Sequence, residues 1–480
     1  MTPPAEGSLK ETVRMFLEEA VEALRELAAK APLTVLDVDY WEKLGDGNFH
    51  RVAKTTPDYA SLHHHFKLDT LSKYEPTHVC ILADPVVGPQ MDRLFGAPDI
   101  GGSRIGVDSV LFEFVAAMVD ENGVPVFTSE TYEAAWTQIM EPLYSPIIRR
   151  VAIAPLPGLR VEKVPIELMK DLVIDRLDDD EVRLCIRAGL IRPPAPGFTF
   201  VDPQGGMGIR WITAHTKYQS DEDMKPTPQI DLGSFGQRPS IGVGYLMEDV
   251  VTIWRLLKSG AITYPGYATW IESRMRQGYG CAARPETPSR PGGYNLSEAE
   301  AASLKELWQV LSGGLLKDKK FRFIATALRR FMFSFDRSLP DDRLVDLLIA
   351  AESLFLQDTG DPPERGELRF RLSLRAGKFI EHEKYSQRDV YTVMRRAYNL
   401  RSMIVHGGEV GDIALPDVAK ATFGQFTDVI EEIIRLGLKK SLKIAGVATS
   451  SFRISEYWES LLFPGCQMMG SDSDQQSRPS

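Results

Sequence analysis

Cysteine is scarce in this chain, with 4 in 480 residues. Cys80, Cys185, Cys281 and Cys466 lie far apart and form no Cys-x-x-Cys pair. That spacing argues against a zinc ribbon and against a secreted disulfide framework, both of which need grouped thiols. Nor does any apolar run approach the ~18 residues that a membrane-spanning helix requires. The opening Met1-Thr-Pro-Pro-Ala-Glu-Gly lacks a basic segment followed by an apolar one. The expectation is a reducing, cytoplasmic setting without membrane attachment. Net positive charge is missing as well: a formal charge of -10 argues against a protein that coats nucleic acid generally, since such proteins are basic overall. No internal repeat emerges.

What is present suits an ordinary globular chain. At 43% apolar and 25% charged residues, it can bury two or three cores without staples. The expected fold class is α+β, a mixed α/β N-terminal region followed by an all-α bundle. Leu9 to Lys30 reads as an opening helix, with Val13, Phe16, Leu17, Ala20 and Leu24 at helical spacing. Beyond it, His78–Ala83, Val107–Val115 and Arg150–Ala154 read as strands or short buried segments. Glu130–Met140, the acidic start at Asp178–Glu181 running toward Leu190, and Gly244–Ser259 read as helices. Residues 1–281 thus form a mixed sensor or regulatory region, divisible into two subdomains near residue 200. Pro285, Pro288, Pro291 and Gly292-Gly293 mark 282–296 as a linker. Ser297 with Glu300 makes a capping box that opens an all-α domain over 297–465, and the polar 466–480 reads as a disordered tail. His63-His64-His65 is read as a loop or strand-end cluster without a metal, because consecutive side chains diverge and no acidic or thiol partner stands at ligand spacing.

Charge is uneven. From Lys317 to Arg330, six basic residues, Lys319 and Lys320 among them, face one acid, a balance of +5. From Asp361 to Val410, ten basic residues face seven acids, a balance of +3. Positive charge of this kind holds phosphates, although a solvated helix face has the same composition. Arg375, Arg395, Arg396, Lys319 and Lys320 are the candidate RNA-binding residues.

Within the second stretch lies Tyr398-Asn-Leu-Arg401-Ser-Met-Ile-Val-His406-Gly-Gly408. Val390, Val393, Met394, Ala397, Leu400 and Ile404 make one apolar helix face, Ser386 with Asp389 a start, and Gly407-Gly408 a stop. Histidine moves a proton near neutral pH, and arginine is a permanent planar cation matched to phosphate. On a continuous helix, residues five apart lie roughly 140° apart in azimuth. The expectation is therefore that Arg401 occupies the last regular turn and His406 the frayed end or the following turn, where the glycines let the chain bend. Two other pairs compete. Arg375 and His382 read as an exposed pair on one helix face, and Arg210 and His215 lie in a strand-like stretch that suits a structural histidine.

Three blocks carry a family resemblance: Arg343–Leu356 with Glu352 on the apolar side, Glu367–Phe379, and Tyr398–Gly408. Over Leu339–Ile434, about a fifth of the chain, the sequence resembles a HEPN domain of the ApeA-like branch. The resemblance implies a helical bundle whose Arg-x(4 to 6)-His motif, here Arg401 and His406, is a metal-independent endoribonuclease site, commonly assembled across a symmetric dimer. Many members carry Asn, Asp or His directly after the arginine, where this chain has Ser402. Glu352, Asn399 and Ser402 are supporting candidates. No cofactor is implied. The substrate would be tRNA or single-stranded RNA, and the setting a bacterial antiphage defence or toxin system, silent until a phage-derived or protein trigger acts on the N-terminal region. The competing reading is a non-catalytic helical module that dimerises or binds RNA or protein.

Overall fold

Glu6–Lys30 forms the first helix, α1, and Val13, Phe16, Leu17, Ala20 and Leu24 are all buried on its inner face. In a computed structural model the chain is a mixed α+β protein with a helical C-terminal region. The structure describes residues 6–30, 35–43, 49–57, 66–191, 206–216, 243–271, 279–283, 293–357, 367–408, 413–447 and 454–462, with gaps of one to three residues inside some of them. The 63–65 histidines, residues 284–292 and the 466–480 tail lie outside them.

After α1 come the hairpin β1 (Val35–Lys43) and β2 (Phe49–Pro57), helix α2 (Tyr74–Ala83), the hairpin β3 (Leu94–Ala97) and β4 (Gly101–Arg104), and helices α3 (Val107–Ala117) and α4 (Ser129–Tyr144). The four helices share one core of their own. Two segments expected as strands or short buried runs, His78–Ala83 and Val107–Val115, are thus helices. In α3, Val107, Val110, Leu111, Phe114 and Val115 are buried, the i, i+3, i+4, i+7 spacing of a helix face, and that period outweighs the β-branched and aromatic composition. In α2, Pro76 sits in the first turn, where its missing N–H costs nothing.

The middle of the chain is a sheet. Its strands are β5 (Ile147–Pro155), β7 (Ile166–Met169), β8 (Leu172–Arg176), β9 (Met207–Thr216), β10 (Gly266–Ile271) and β11 (Tyr279–Ala283), with the short β6 (Leu159–Val161) between β5 and β7. The six pair antiparallel in the order β11-β10-β5-β9-β8-β7. Because β9 bonds both β5 and β8, the sheet runs straight through the break expected near residue 200. Helix α5 (Asp179–Arg187) begins with the capping box of Asp178 and Glu181 and covers the face carrying Val151 and Ile153. Arg210 on β9 fastens α5 to the sheet through Glu181, with Asp175 3.6 Å away, which accounts for that arginine structurally.

The alternate residues of β5, Ala152 and Ala154, face helix α6 (Val243–Leu257) and the C-terminal helices. Strand β12 (Tyr294–Leu296) pairs parallel with β6, and the Tyr294 hydroxyl donates to Trp254 O at 2.8 Å. Of the expected 282–296 linker, Ala282 and Ala283 therefore belong to β11, and Tyr294 and Leu296 are built into the core. Then follow α7 (Glu298–Ser312), α8 (Arg322–Phe335), α9 (Pro340–Phe355), α10 (Leu368–Phe379), α11 (Gln387–Val405), a short hairpin of β13 (Ile413–Leu415) and β14 (Val418–Ala421), α12 (Phe423–Val447) and α13 (Ile454–Leu462). One hydrophobic core joins the sheet, α6 and this bundle, running from Ala152 through Trp254 to Phe331, Leu347 and Ile433. At the junction the guanidinium of Arg435, 1% exposed, donates from Nε to Arg255 O at 2.7 Å and pairs with Glu431 and Glu432. Among the described residues no helix is long and apolar enough to cross a membrane.

Candidate functional site

Helix α11 carries the motif. The Ser386 hydroxyl accepts from the Asp389 N–H while the Asp389 carboxylate accepts from the Ser386 N–H, so both start signals are used. Val390, Val393, Met394, Ala397 and Leu400 are buried along one side, and Ile404 packs partly against the same core. The helix ends in a paired closure. Gly408 N–H donates to Met403 O and Gly407 N–H to Ile404 O, both at 2.9 Å, with Gly407 at φ 80. That is the Schellman pattern, which needs a left-handed residue after the cap.

His406 is the cap residue itself. Its φ of -94 and ψ of 11, and its N–H bonds to Met403 O and Ser402 O, hold it close to the helical path. Of the two expected placements His406 thus takes the helix end, and the bend at the glycines falls after it. Arg401 and His406 therefore remain roughly 140° apart around the helix, and one chain does not bring them onto one face. His406 is exposed, and its ring has no hydrogen-bond partner among the described residues.

Arg401 faces inward from α11 toward α9. Its Nη1 donates to Glu352 Oε1 at 3.0 Å, and the two side chains are each 28% exposed. Arg401 Nε is shielded from solvent and meets no partner among the described residues; a buried donor left unmet costs about 1–3 kcal/mol. Burial raises the Glu352 carboxyl above the ordinary glutamate value, against the opposing pull of Arg401. An ion pair alone would lower it, so desolvation is the larger effect. Tyr398, one turn before Arg401, is pushed up by burial and then by Glu352.

The pH consequence has a definite sign. With its folded pKa above the unfolded value, Glu352 binds more protons folded than unfolded, so stability falls as pH rises through the range just above 4.5. The melting temperature of wild type minus that of Glu352→Gln should therefore decline across that range. A difference that climbs with pH would mean that the Arg401 ion pair outweighs burial.

Of the other expected residues, Asn399 is exposed and accepts from Arg369 Nη1 at 2.8 Å. Ser402, Arg395 and Arg396 are exposed on α11, and Lys319 is exposed in the turn before α8. Lys320 is tied to Asp318 at 3.5 Å and lies over the Phe321 ring. Phe321 and Leu354 line one small void, so this basic turn sits at the end of the bundle where α9 finishes near Glu352. Arg375 is a correction. It is 6% exposed, its Nη1 donates to Phe355 O at 2.8 Å, and it stacks on Trp458. It braces α9, α10 and α13 and presents no face to RNA. Its expected pairing with His382 also fails, because α10 stops at Phe379. Tyr398 and Arg369 are additions. Nothing local marks Arg369, whose partner stands 30 positions away.

Compared with protein-family models, with curated proteins and with solved structures, the chain matches none. Among the described residues, no group of three or more His, Cys, Asp and Glu is placed to hold a metal ion.

Proposed function

We propose that this chain is a HEPN-type endoribonuclease that cuts tRNA or single-stranded RNA without a metal or other cofactor. The observation that carries the reading is the Arg401–Glu352 pair at 3.0 Å, followed by an exposed imidazole at the cap of the same helix. Arginine supplies fixed charge for the phosphorane oxygens, and histidine supplies a proton carrier near neutral pH. His406 takes the proton from the RNA 2′-hydroxyl as its oxygen attacks the adjacent phosphorus. The phosphorus–5′-oxygen bond breaks, and the leaving oxygen is protonated by a second imidazolium or by water. The products end in a 2′,3′-cyclic phosphate and a 5′-hydroxyl, and DNA, lacking the hydroxyl, is spared.

The angular separation of Arg401 and His406 within one helix favours a site shared by two chains, in which Arg401 of one copy faces His406 of the other across a two-fold axis. Glu352 holds the guanidinium, Asn399 holds Arg369 beside it, and exposed Arg395 and Arg396 add charge along the strand. The role we infer is a cytoplasmic effector of antiphage defence or a toxin system, kept silent by the N-terminal region until a phage-derived or protein trigger arrives.

Purified protein incubated with tRNA and single-stranded RNA in EDTA should yield cyclic phosphate ends. Mixing Arg401→Ala with His406→Ala protein should restore part of the activity that each lacks alone. Persistent silence of the mixture, with wild type active, would refute the shared site, while wild type inert on every RNA under triggered conditions would favour a binding module.

A further inference from the structure

A second cleft lies at the other end of the helices that carry the site. Its volume is about 720 Å³, and it opens between the end of α6, the α8–α9 turn, the α10–α11 turn and the first turns of α12. That is the size range of small-molecule and cofactor sites.

The charges in it do not cancel evenly. One wall is acidic, and each carboxylate there is met by an arginine. Asp428 and Glu431 are spanned by the two terminal nitrogens of Arg343, and Glu432 is met by Arg435. The cleft is also lined by donors that are only partly engaged. Lys384 lies over the Tyr385 ring at 5.2 Å, and its ammonium has no carboxylate within reach among the described residues. Arg337 bonds Asp346 through Nε at 2.7 Å, with Asp342 and Asp336 close enough to act on its charge, and its terminal nitrogens have no hydrogen-bond partner among the described residues. His382 Nδ1 accepts from the Lys384 N–H at 3.2 Å, so in the neutral ring Nε2 carries the proton and is a further donor.

From these we infer a binding site for a phosphate-bearing small molecule of nucleotide size, its phosphate held by Lys384, Arg337 and His382. Guanidinium and ammonium groups are the side chains suited to phosphate oxygens. The placement gives such a ligand a route to Arg401. Pro340 and Arg343 line the pocket at the start of α9, and α11 begins directly after Tyr385. Roughly 20 Å further along, the same two helices are joined by Glu352 and Arg401. A ligand that shifts the two helix starts relative to one another also shifts that pair. This effect on cleavage rests on the ribonuclease reading; the binding itself does not.

The test is calorimetric titration of the full chain, without RNA, using inorganic phosphate, ribose 5-phosphate, AMP, GMP and ATP as probes. A nucleotide should bind saturably at millimolar concentration or below, with inorganic phosphate competing. Lys384→Ala should weaken that binding roughly tenfold or more, the scale of one charge-assisted hydrogen bond, with Lys384→Arg restoring most of it. Arg337→Ala should weaken it as well, whereas Arg401→Ala, which removes no contact in the cleft, should change it by no more than the few-fold that reciprocal coupling allows. No saturable binding of any probe overturns the site, as does binding indifferent to Lys384→Ala and Arg337→Ala or binding that Arg401→Ala abolishes. Nucleotide binding without any change in RNA cleavage would refute the coupling alone.

Discussion

His406→Ala should lower the single-turnover rate of RNA cleavage by about 10²–10⁴-fold, the usual worth of a positioned general acid or base. Its melting temperature should stay close to that of wild type. The imidazole is exposed and has no hydrogen-bond partner among the described residues, and the helix closure around it is made by backbone groups of residues 402–408. Truncating a side chain of that kind moves stability by no more than about 0.5 kcal/mol. Kinetics and folding thus separate at this position, which makes it the cleanest probe of the chemistry. Unimpaired cleavage would remove His406 as the proton carrier. Lost cleavage together with a fall of several degrees would instead mark His406 as a structural cap.

The largest stability effect is expected at the opposite extreme of exposure. Arg435→Ala removes a guanidinium that is 1% exposed and leaves Glu431, 3% exposed, with one arginine fewer. Breaking a buried charge pair from one side costs about 3–5 kcal/mol, because the remaining charge keeps its desolvation penalty. The same change deletes the bond to Arg255 O and the contact with the Phe331 ring at 5.6 Å. Urea unfolding should register that loss in the transition that includes the sheet and the bundle. Arg435→Met combined with Glu432→Gln, which leaves Glu431 paired with Arg343, should recover part of it, since fewer charges then stand unpaired at the junction. A loss below about 1 kcal/mol for Arg435→Ala would mean that the network is solvated and carries little.

The contrast between these two residues matches what is legible in the chain. His406 can be found by reading, because a helix stop is local: the Ser386–Asp389 box, the apolar spacing from Val390 to Leu400 and the Gly407-Gly408 closure all lie within one helix and its ends. The boxes at Ser297–Glu300 and Asp178–Glu181 are legible for the same reason. Arg435 cannot be found in this way, since its burial depends on Arg255, 180 positions earlier. Arg375 misleads for a related reason. Its helix carries four basic residues in Leu368–Lys378, which reads as a solvated face, yet the contacts that bury this one come from Phe355 and Trp458 on other helices. Val107–Ala117 shows composition and period in conflict, and the period prevails because α3 can bury one stripe against α1 and α4. At the candidate site, the chain marks Glu352 only as a supporting residue, and the packing of α9 on α11, 49 positions apart in sequence, is what pairs it with Arg401.

The core shared by the sheet, α6 and the bundle, with Tyr294 and Leu296 inside it, bears on how this molecule can be inherited. A unit that recombination moves freely between proteins needs an outer surface of its own, able to face water when its former neighbour is gone. Here the helical half is closed by Trp254 and Val250 on one side and by Tyr294, inserted beside β6, on the other. Cutting between them would bare apolar surface on both pieces. The sheet and the bundle therefore have to be exchanged together, whereas the four N-terminal helices, with a core to themselves, are the part of the chain that evolution is free to replace.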